Sequence, residues 1–259
     1  MAVILRRRRR RDPEATMTMV EHLTELRKRL VISVAAVIVG MIGSWFLYRP
    51  VFNIMSNPFC SFMTRHPNLA SDPKDPCRLV YLSVVEPFII KVKVVAFLGM
   101  LLALPVVLYQ FWRFVTPGLT SKERRYSIPF VASSVALFAL GGWFAMFTLP
   151  KGLAFLLGFA GTTRVLAVLS ISKYLGFVML LIIAFGASFE FPLILISLTL
   201  VGVLSSKKLR EWRRYAVVLI AVLAAVVTPS QDWFTMTALM LPLLVFYELS
   251  IVVSRLLKK

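Results

Sequence analysis

Three glutamates carry most of the chemistry this chain could do: Glu25, Glu123 and Glu190. Glu25 stands four residues before Arg29 in MVEHLTELRKRL (19–30). Glu123 stands among Arg113, Lys122, Arg124 and Arg125 in FWRFVTPGLTSKERR (111–125), a loop joining two long apolar runs. Taken one at a time, each reads as half of a surface ion pair, worth a few tenths of a kcal/mol. Two carboxylates at one interface could do more, accepting bidentate hydrogen bonds from adjacent arginines of a visiting peptide. The surrounding cations would then repel a peptide with too little positive charge to displace them. Sequence spacing does not show that Glu25 and Glu123 are neighbours, so composition alone leads to an acidic site at a basic membrane face.

Glu190 is of another kind. It interrupts an otherwise uncharged run over 174–206. As one straight helix that run would measure about 50 Å, whereas two spans and a turn would need ~40 residues. One tilted span bent near Pro192 fits best, which places Glu190 at mid-membrane. An ionised carboxylate there costs roughly 2.5–3.5 kcal/mol, so Glu190 is either neutral or faces a polar partner or water.

Other chemistries find no support. There is no dinucleotide fingerprint, P-loop or HExxH pattern, and His22 and His66 are too few and too far apart for a metal cluster. No Ser/His pair, paired Asp or metal-ligand set falls in the apolar runs, so the chain is not expected to be an enzyme or to hold a cofactor. The net charge of +18 is spread between hydrophobic runs. It therefore points to anchoring beside anionic lipid rather than to nucleic acid.

The elements that must position these acids are membrane spans. Hydrophobic residues make up 59% of the 259-residue chain and the mean hydropathy is +0.81, against a usual ~45–50% apolar. Uncharged runs at 30–48, 94–112 and 126–150 are each long enough to cross ~30 Å of hydrocarbon. The expected architecture is an all-α polytopic membrane protein of six spans, approximately 30–48, 88–112, 126–150, 174–203, 215–228 and 233–253. A basic tail at 1–18, with six consecutive arginines at 6–11, precedes the 19–255 membrane domain, and a short basic end at 256–259 follows it. Every second connection is dense in Arg and Lys, which puts both termini on the inner side.

Within this frame Met19, Leu23, Leu26 and Leu30 form one helical face of a short interfacial helix. The 49–93 stretch reads as an outer, Pro-rich loop leading into the second span. Cys60 and Cys77 inside it are a possible disulfide, worth roughly 3 kcal/mol by loop closure. Pro105 is a candidate kink. Glu248 can share a helix face with Arg255, and Asp232 can cap the last helix. The fifth span is only about 20 Å long, so the bilayer must thin beside it.

HLTELRKRL (22–30), YQFWRFVTPGLTSKERR (109–125), FGASFEFP (185–192) and the TPSQD turn resemble TatC, the multispan receptor subunit of the twin-arginine translocase, in order and over nearly the whole chain beyond the arginine tail. The resemblance implies a glove-shaped six-helix bundle in the bacterial cytoplasmic membrane, with both termini in the cytoplasm. It implies recognition of the Arg-Arg motif of signal peptides on folded cargo, through Glu25 and Glu123 with support from Arg27, Phe114 and Leu119. Glu190 is similar to the family's mid-membrane acid. Implied partners are TatA- and TatB-type single-span proteins docking along the last two spans near Thr228, together with self-association in a receptor complex. Met236 stands where many relatives carry a Gln, which removes a polar contact usually expected there. The family is driven by the proton-motive force without bound nucleotide.

Two rival classes make different demands. A proton-coupled secondary transporter using Glu190 as relay would show internal repeats with paired interrupted helices, and only the 174–206 run is interrupted. A structural scaffold would tolerate neutralisation of both inner-face acids.

Overall fold

The computed structural model describes residues 19–67, 75, 77, 79–115, 127–158, 170–200, 202–228 and 232–256. These form helices α1 (Met19–Ser44), α2 (Tyr48–Arg65), α3 (Glu86–Val115), α4 (Ser127–Gly158), α5 (Ile171–Phe189), α6 (Phe191–Leu200), α7 (Ser206–Glu211), α8 (Arg213–Val227) and α9 (Trp233–Leu256). Among the described residues there is no β-strand, only a single bridge between Val80 and Ser170. The all-α architecture thus follows the hydrophobic pattern. Glu86–Phe114, Ile128–Gly158, Ile171–Leu200 and Trp233–Leu256 are each long and apolar enough to cross a bilayer.

Several elements differ from the sequence expectation. The interfacial helix and the first span are one continuous helix, α1, which ends at Ser44 rather than Tyr48. The chain then turns through 88° into α2, where a loop is expected. Prolines and mixed charge suggest a loop there, but Met55, Phe59, Phe62 and Met63 recur on one helical face and are all buried. They lie against the start of α5, where Tyr174 donates a hydrogen bond from its hydroxyl to the Met55 carbonyl at 2.9 Å and its ring packs 5.3 Å from that of Phe59. Cys60 and Cys77 are joined by a disulfide at the far end of α2. Helix α4 continues eight residues past Pro150, and Pro105 lies inside α3.

The 174–206 run breaks at Glu190, two residues before the expected bend. Pro192 explains the offset. It has no N–H to give and is tolerated in the first turn of a helix, so α6 starts just ahead of it and α5 must stop.

Small residues set how closely these helices pack. In hydrocarbon, association rests on van der Waals contact and backbone approach more than on the hydrophobic effect. α1 crosses α3 at Gly40 and Gly99, so close that a Cβ on Gly40 would lie 2.4 Å from the Gly99 carbonyl oxygen. One turn on, the Ser44 hydroxyl donates to the Val95 carbonyl at 2.8 Å, a polar bond between helices with no water needed. α4 meets α5 the same way, with Gly141 against the Phe185 backbone.

The end where α2 lies is closed by Glu86, which is 7% exposed. Its carboxylate accepts from the Leu82 amide at 2.5 Å, the Ser83 amide at 3.3 Å and the Ser172 amide at 3.2 Å, and from the Ser170 hydroxyl. One side chain thus ties the start of α3 to the start of α5. The opposite end carries Lys28, Arg29, Arg113, Lys207, Lys208 and Arg210 and is called the basic end below.

The glycine crossing gives a direct expectation. Gly40→Ala forces a methyl group into the α3 backbone and should destabilise the detergent-solubilised protein by about 1–3 kcal/mol. Gly43→Ala, where nothing lies within 4 Å of the added Cβ, should be neutral or slightly stabilising. Thermal unfolding of the two variants side by side checks this.

Candidate functional site

At the basic end α1 and α3 enclose a cleft of 220 Å³ lined by Glu25, Lys28, Arg29, Ile32, Gln110 and Arg113. Glu25 and Arg29 are one helical turn apart, and the Arg29 guanidinium is bonded to the Glu25 carboxylate. The pair is partly sunk, Arg29 being 11% and Glu25 28% exposed at the side chain. The other Arg29 terminal nitrogen reaches Gln110 Oε1 of α3 at 3.5 Å. A few residues on, His22 stacks on Phe114 with ring centroids 4.5 Å apart. These cross-helix contacts fix the start of α1 against the end of α3. Arg113, also on the cleft wall, donates to the Tyr109 hydroxyl at 3.2 Å.

Of the five residues implied in peptide recognition, Glu25 and Phe114 come together at this end, and Arg27 is exposed on α1 without lining the cleft. Leu119 and Glu123 lie outside the described residues. Gln110 and His22 belong to the site and were not singled out from the sequence. A glutamine within the apolar 94–112 run was the available signal for Gln110. His22 had none, because its role depends on a ring 92 positions away.

Glu190 sits deeper, 8% exposed at the α5–α6 break. The Ser134 hydroxyl of α4 donates to its Oε2, and the indole N–H of Trp112 on α3 donates to Ser134 Oγ at 2.9 Å. Among the described residues, Glu190 Oε1 has no hydrogen-bond partner. Trp112 lies between Gln110 and Phe114 in sequence. The last turns of α3 therefore face the cleft on one side and the buried carboxylate on the other.

The remaining flagged residues sit elsewhere. Thr228 is 1% exposed and returns its hydroxyl to the Ala224 carbonyl at 2.8 Å, and Met236 is half-buried near the start of α9. Asp232 caps α9, accepting from the Thr235 amide at 2.8 Å and the Thr235 hydroxyl at 2.7 Å. Glu248, on the same helix as Arg255, pairs with Arg213 of α8 at 2.5 Å. Both side chains are 52% exposed, so the pair adds little stability. Among the described residues no cluster of His, Cys, Asp or Glu could hold a metal ion.

A helical bundle with span-length apolar helices, a charged cleft at one end and one buried acid at a helix break defines a polytopic membrane protein. The family model described as "Sec-independent protein translocase protein (TatC)" matches residues 21–242. A TatC protein of Frankia casuarinae is 40% identical over 252 residues, covering 96% of this chain and 68% of its own. That of Aquifex aeolicus is 40% identical over 243 residues, covering 93% and 95%. A solved structure described as the twin arginine translocase receptor TatC superposes with a TM-score of 0.73 at 39% identity, covering 92% of this chain and all of that one. A second, in detergent, gives 0.74 at 38% identity. The chain belongs to the TatC family and is a subunit of the Sec-independent, twin-arginine protein translocase.

The Trp112–Ser134–Glu190 chain is testable apart from transport. Ser134→Ala strands an indole N–H and a carboxylate oxygen in a buried site and should cost about 1–3 kcal/mol. Ser133→Ala, on the exposed side of the same turn, should change stability by less than about 0.5 kcal/mol. Thermal unfolding in one detergent separates the two.

Proposed function

We propose that this chain is the cargo-recognising subunit of the translocase, and that the α1–α3 cleft receives the paired arginines of a signal peptide. The observation that carries the reading is the occupancy of Glu25. Its carboxylate is already bonded by a guanidinium, that of Arg29, with Gln110 completing the polar wall. A cargo arginine offers the same planar donor set and can take the place of Arg29 without leaving the Glu25 carboxylate unpaired, the displaced Arg29 keeping Gln110. Glu123 supplies the second carboxylate from the loop after α3. Leu119 and Phe114 give apolar contact to the flanking peptide, and Arg27 assists from the exposed face of α1.

The basic end faces the cytoplasm of a bacterial inner membrane, in line with the inward bias of Arg and Lys. Six spans then place both termini on that side. α1 supplies the first span with α2 folded across the opposite end, and α8, only 15 residues long, supplies the thin fifth. Single-span TatA- and TatB-type partners dock along α8 and α9 towards Thr228 and Met236, and copies of the chain associate in a receptor complex. The proton-motive force drives transport, and the unpartnered oxygen of Glu190 receives a polar group of an inserted peptide or helix.

Photocrosslinkers at positions 25 and 123 should capture an Arg-Arg signal peptide and not its Lys-Lys counterpart. Glu25→Gln with Glu123→Gln should weaken peptide binding by about 10- to 100-fold, the value of a charge-assisted hydrogen bond. Unchanged capture would remove the receptor reading. Arg29→Gln should raise capture of the Lys-Lys peptide relative to Arg-Arg, because the resident competitor is gone. Binding titrations with both peptides read that ratio.

A further inference from the structure

A second cavity, 490 Å³ in volume, lies between α6, α7, α8 and α9, separate from the cleft of Glu25. Its walls are apolar side chains, among them Phe191, Leu195, Leu204 and Leu219, with exposed Trp212 and buried Tyr247 also lining it. Among the described residues its one charged lining side chain is Lys208. α7 is fixed as one wall by the Tyr247 hydroxyl, which donates to the Leu209 carbonyl at 2.7 Å. Arg214 is also held at this rim, its guanidinium 4.7 Å from the Tyr215 ring and donating to the Tyr215 hydroxyl at 2.8 Å.

Size and charge together choose the occupant. A helix about 10 Å across would fill this volume in roughly one turn, too little to seat a partner span. Hydrocarbon chains packing roughly 4–5 Å from their neighbours need far less section. The same volume takes one or two chains of leaflet length, about 15 Å. The rim supplies cations where the headgroup of such a lipid would sit. Lys208 lines the cavity and is exposed, and Lys207, Arg210 and Arg214, exposed on the same stretch of chain, add positive charge nearby. Of the two acids at this end of α7–α9, Glu248 is engaged by Arg213 and Glu211 points to solvent. Exposed Trp212 and Tyr215 belong at headgroup level. We infer that this cavity is a binding site for an anionic phospholipid of the leaflet at the basic end, its acyl chains between α6 and α8 and its phosphate on Lys208. Basic pockets between spans take such headgroups in general, and a zwitterionic lipid would gain the apolar contact without the phosphate pairing at net negative charge.

Native mass spectrometry of the intact, detergent-released protein tests this with phosphatidylglycerol and phosphatidylcholine of identical chains. Phosphatidylglycerol should be retained at least about fivefold better. Lys208→Gln should remove most of that preference, and Lys208→Arg should keep it. Lys151→Gln, a cation at the opposite end, should leave it unchanged. Leu219→Trp, which fills the groove, should lower retention of both lipids at unchanged thermal stability in detergent. The inference is overturned if the two lipids are retained equally, if Lys208→Gln and Lys151→Gln behave alike, or if Leu219→Trp has no effect. Crosslinking of a single-span peptide from position 204, which lines the cavity away from α8 and α9, in phosphatidylglycerol bilayers would assign the cavity to a helix and overturn it equally.

Discussion

Hydrocarbon offers no hydrogen bonds, so each polar side chain at depth must find its partner within the protein. In this bundle that constraint falls on Glu190, and its solution organises the rest. Ser134 and Trp112 satisfy one carboxylate oxygen and in doing so tie α4 and α3 to the α5–α6 break. The break itself follows from Pro192. The acid, the proline and the indole are thus one structural unit drawn from three helices. Because Trp112 is held inward, Gln110 and Phe114 on the same turns of α3 are presented to α1.

The glycine crossing makes that presentation useful. Gly40 and Gly99 let the α1 and α3 backbones touch, and two helices pinned together at one level stay near each other a few turns away. Glu25 and Gln110 sit below the crossing, within reach of one guanidinium. A larger residue at the crossing would widen the cleft without touching any residue in it. Above the crossing, Glu86 and α2 close the other end by the same rule. There, a carboxylate takes four donors from two chain segments instead of leaving them to the bilayer.

Much of this was legible in the residues. The apolar runs located the long helices, Pro192 placed the bend to within two residues, and the Asp232 cap followed from its position before α9. Where the reading failed, it failed for identifiable reasons. α2 was hidden because prolines and mixed charge outweighed a short run of buried Met and Phe. The Glu248–Arg213 pair joins two helices, and spacing along one helix does not reveal a partner on another. Ser134 and Trp112 lie 56 and 78 positions from Glu190, and an uncharged span gives no hint of which serine faces a carboxylate. Gln110 is the one amide in its apolar run, a signal that was passed over, and its partner lies 81 residues away.

The state of the cleft also constrains how recognition could work on the reading proposed here. Burying an unpaired guanidinium or carboxylate is costly, and removing one partner of a buried pair costs more than the pair itself contributes. Glu25 with Arg29 in place avoids that cost while no cargo is present. When a cargo arginine enters, it takes over the Glu25 carboxylate, whose desolvation changes little, and the displaced Arg29 guanidinium is left to Gln110 and water. Net affinity then comes mostly from the second arginine and from the flanking contacts, because the first only replaces what was there. Lysine fares worse in such an exchange. Its ammonium is a compact, strongly hydrated charge without the planar fork that Arg29 directs at Glu25 and Gln110 together. Preference for two arginines over two lysines thus follows from which resident group must be displaced, and requires no pocket shaped around the peptide backbone.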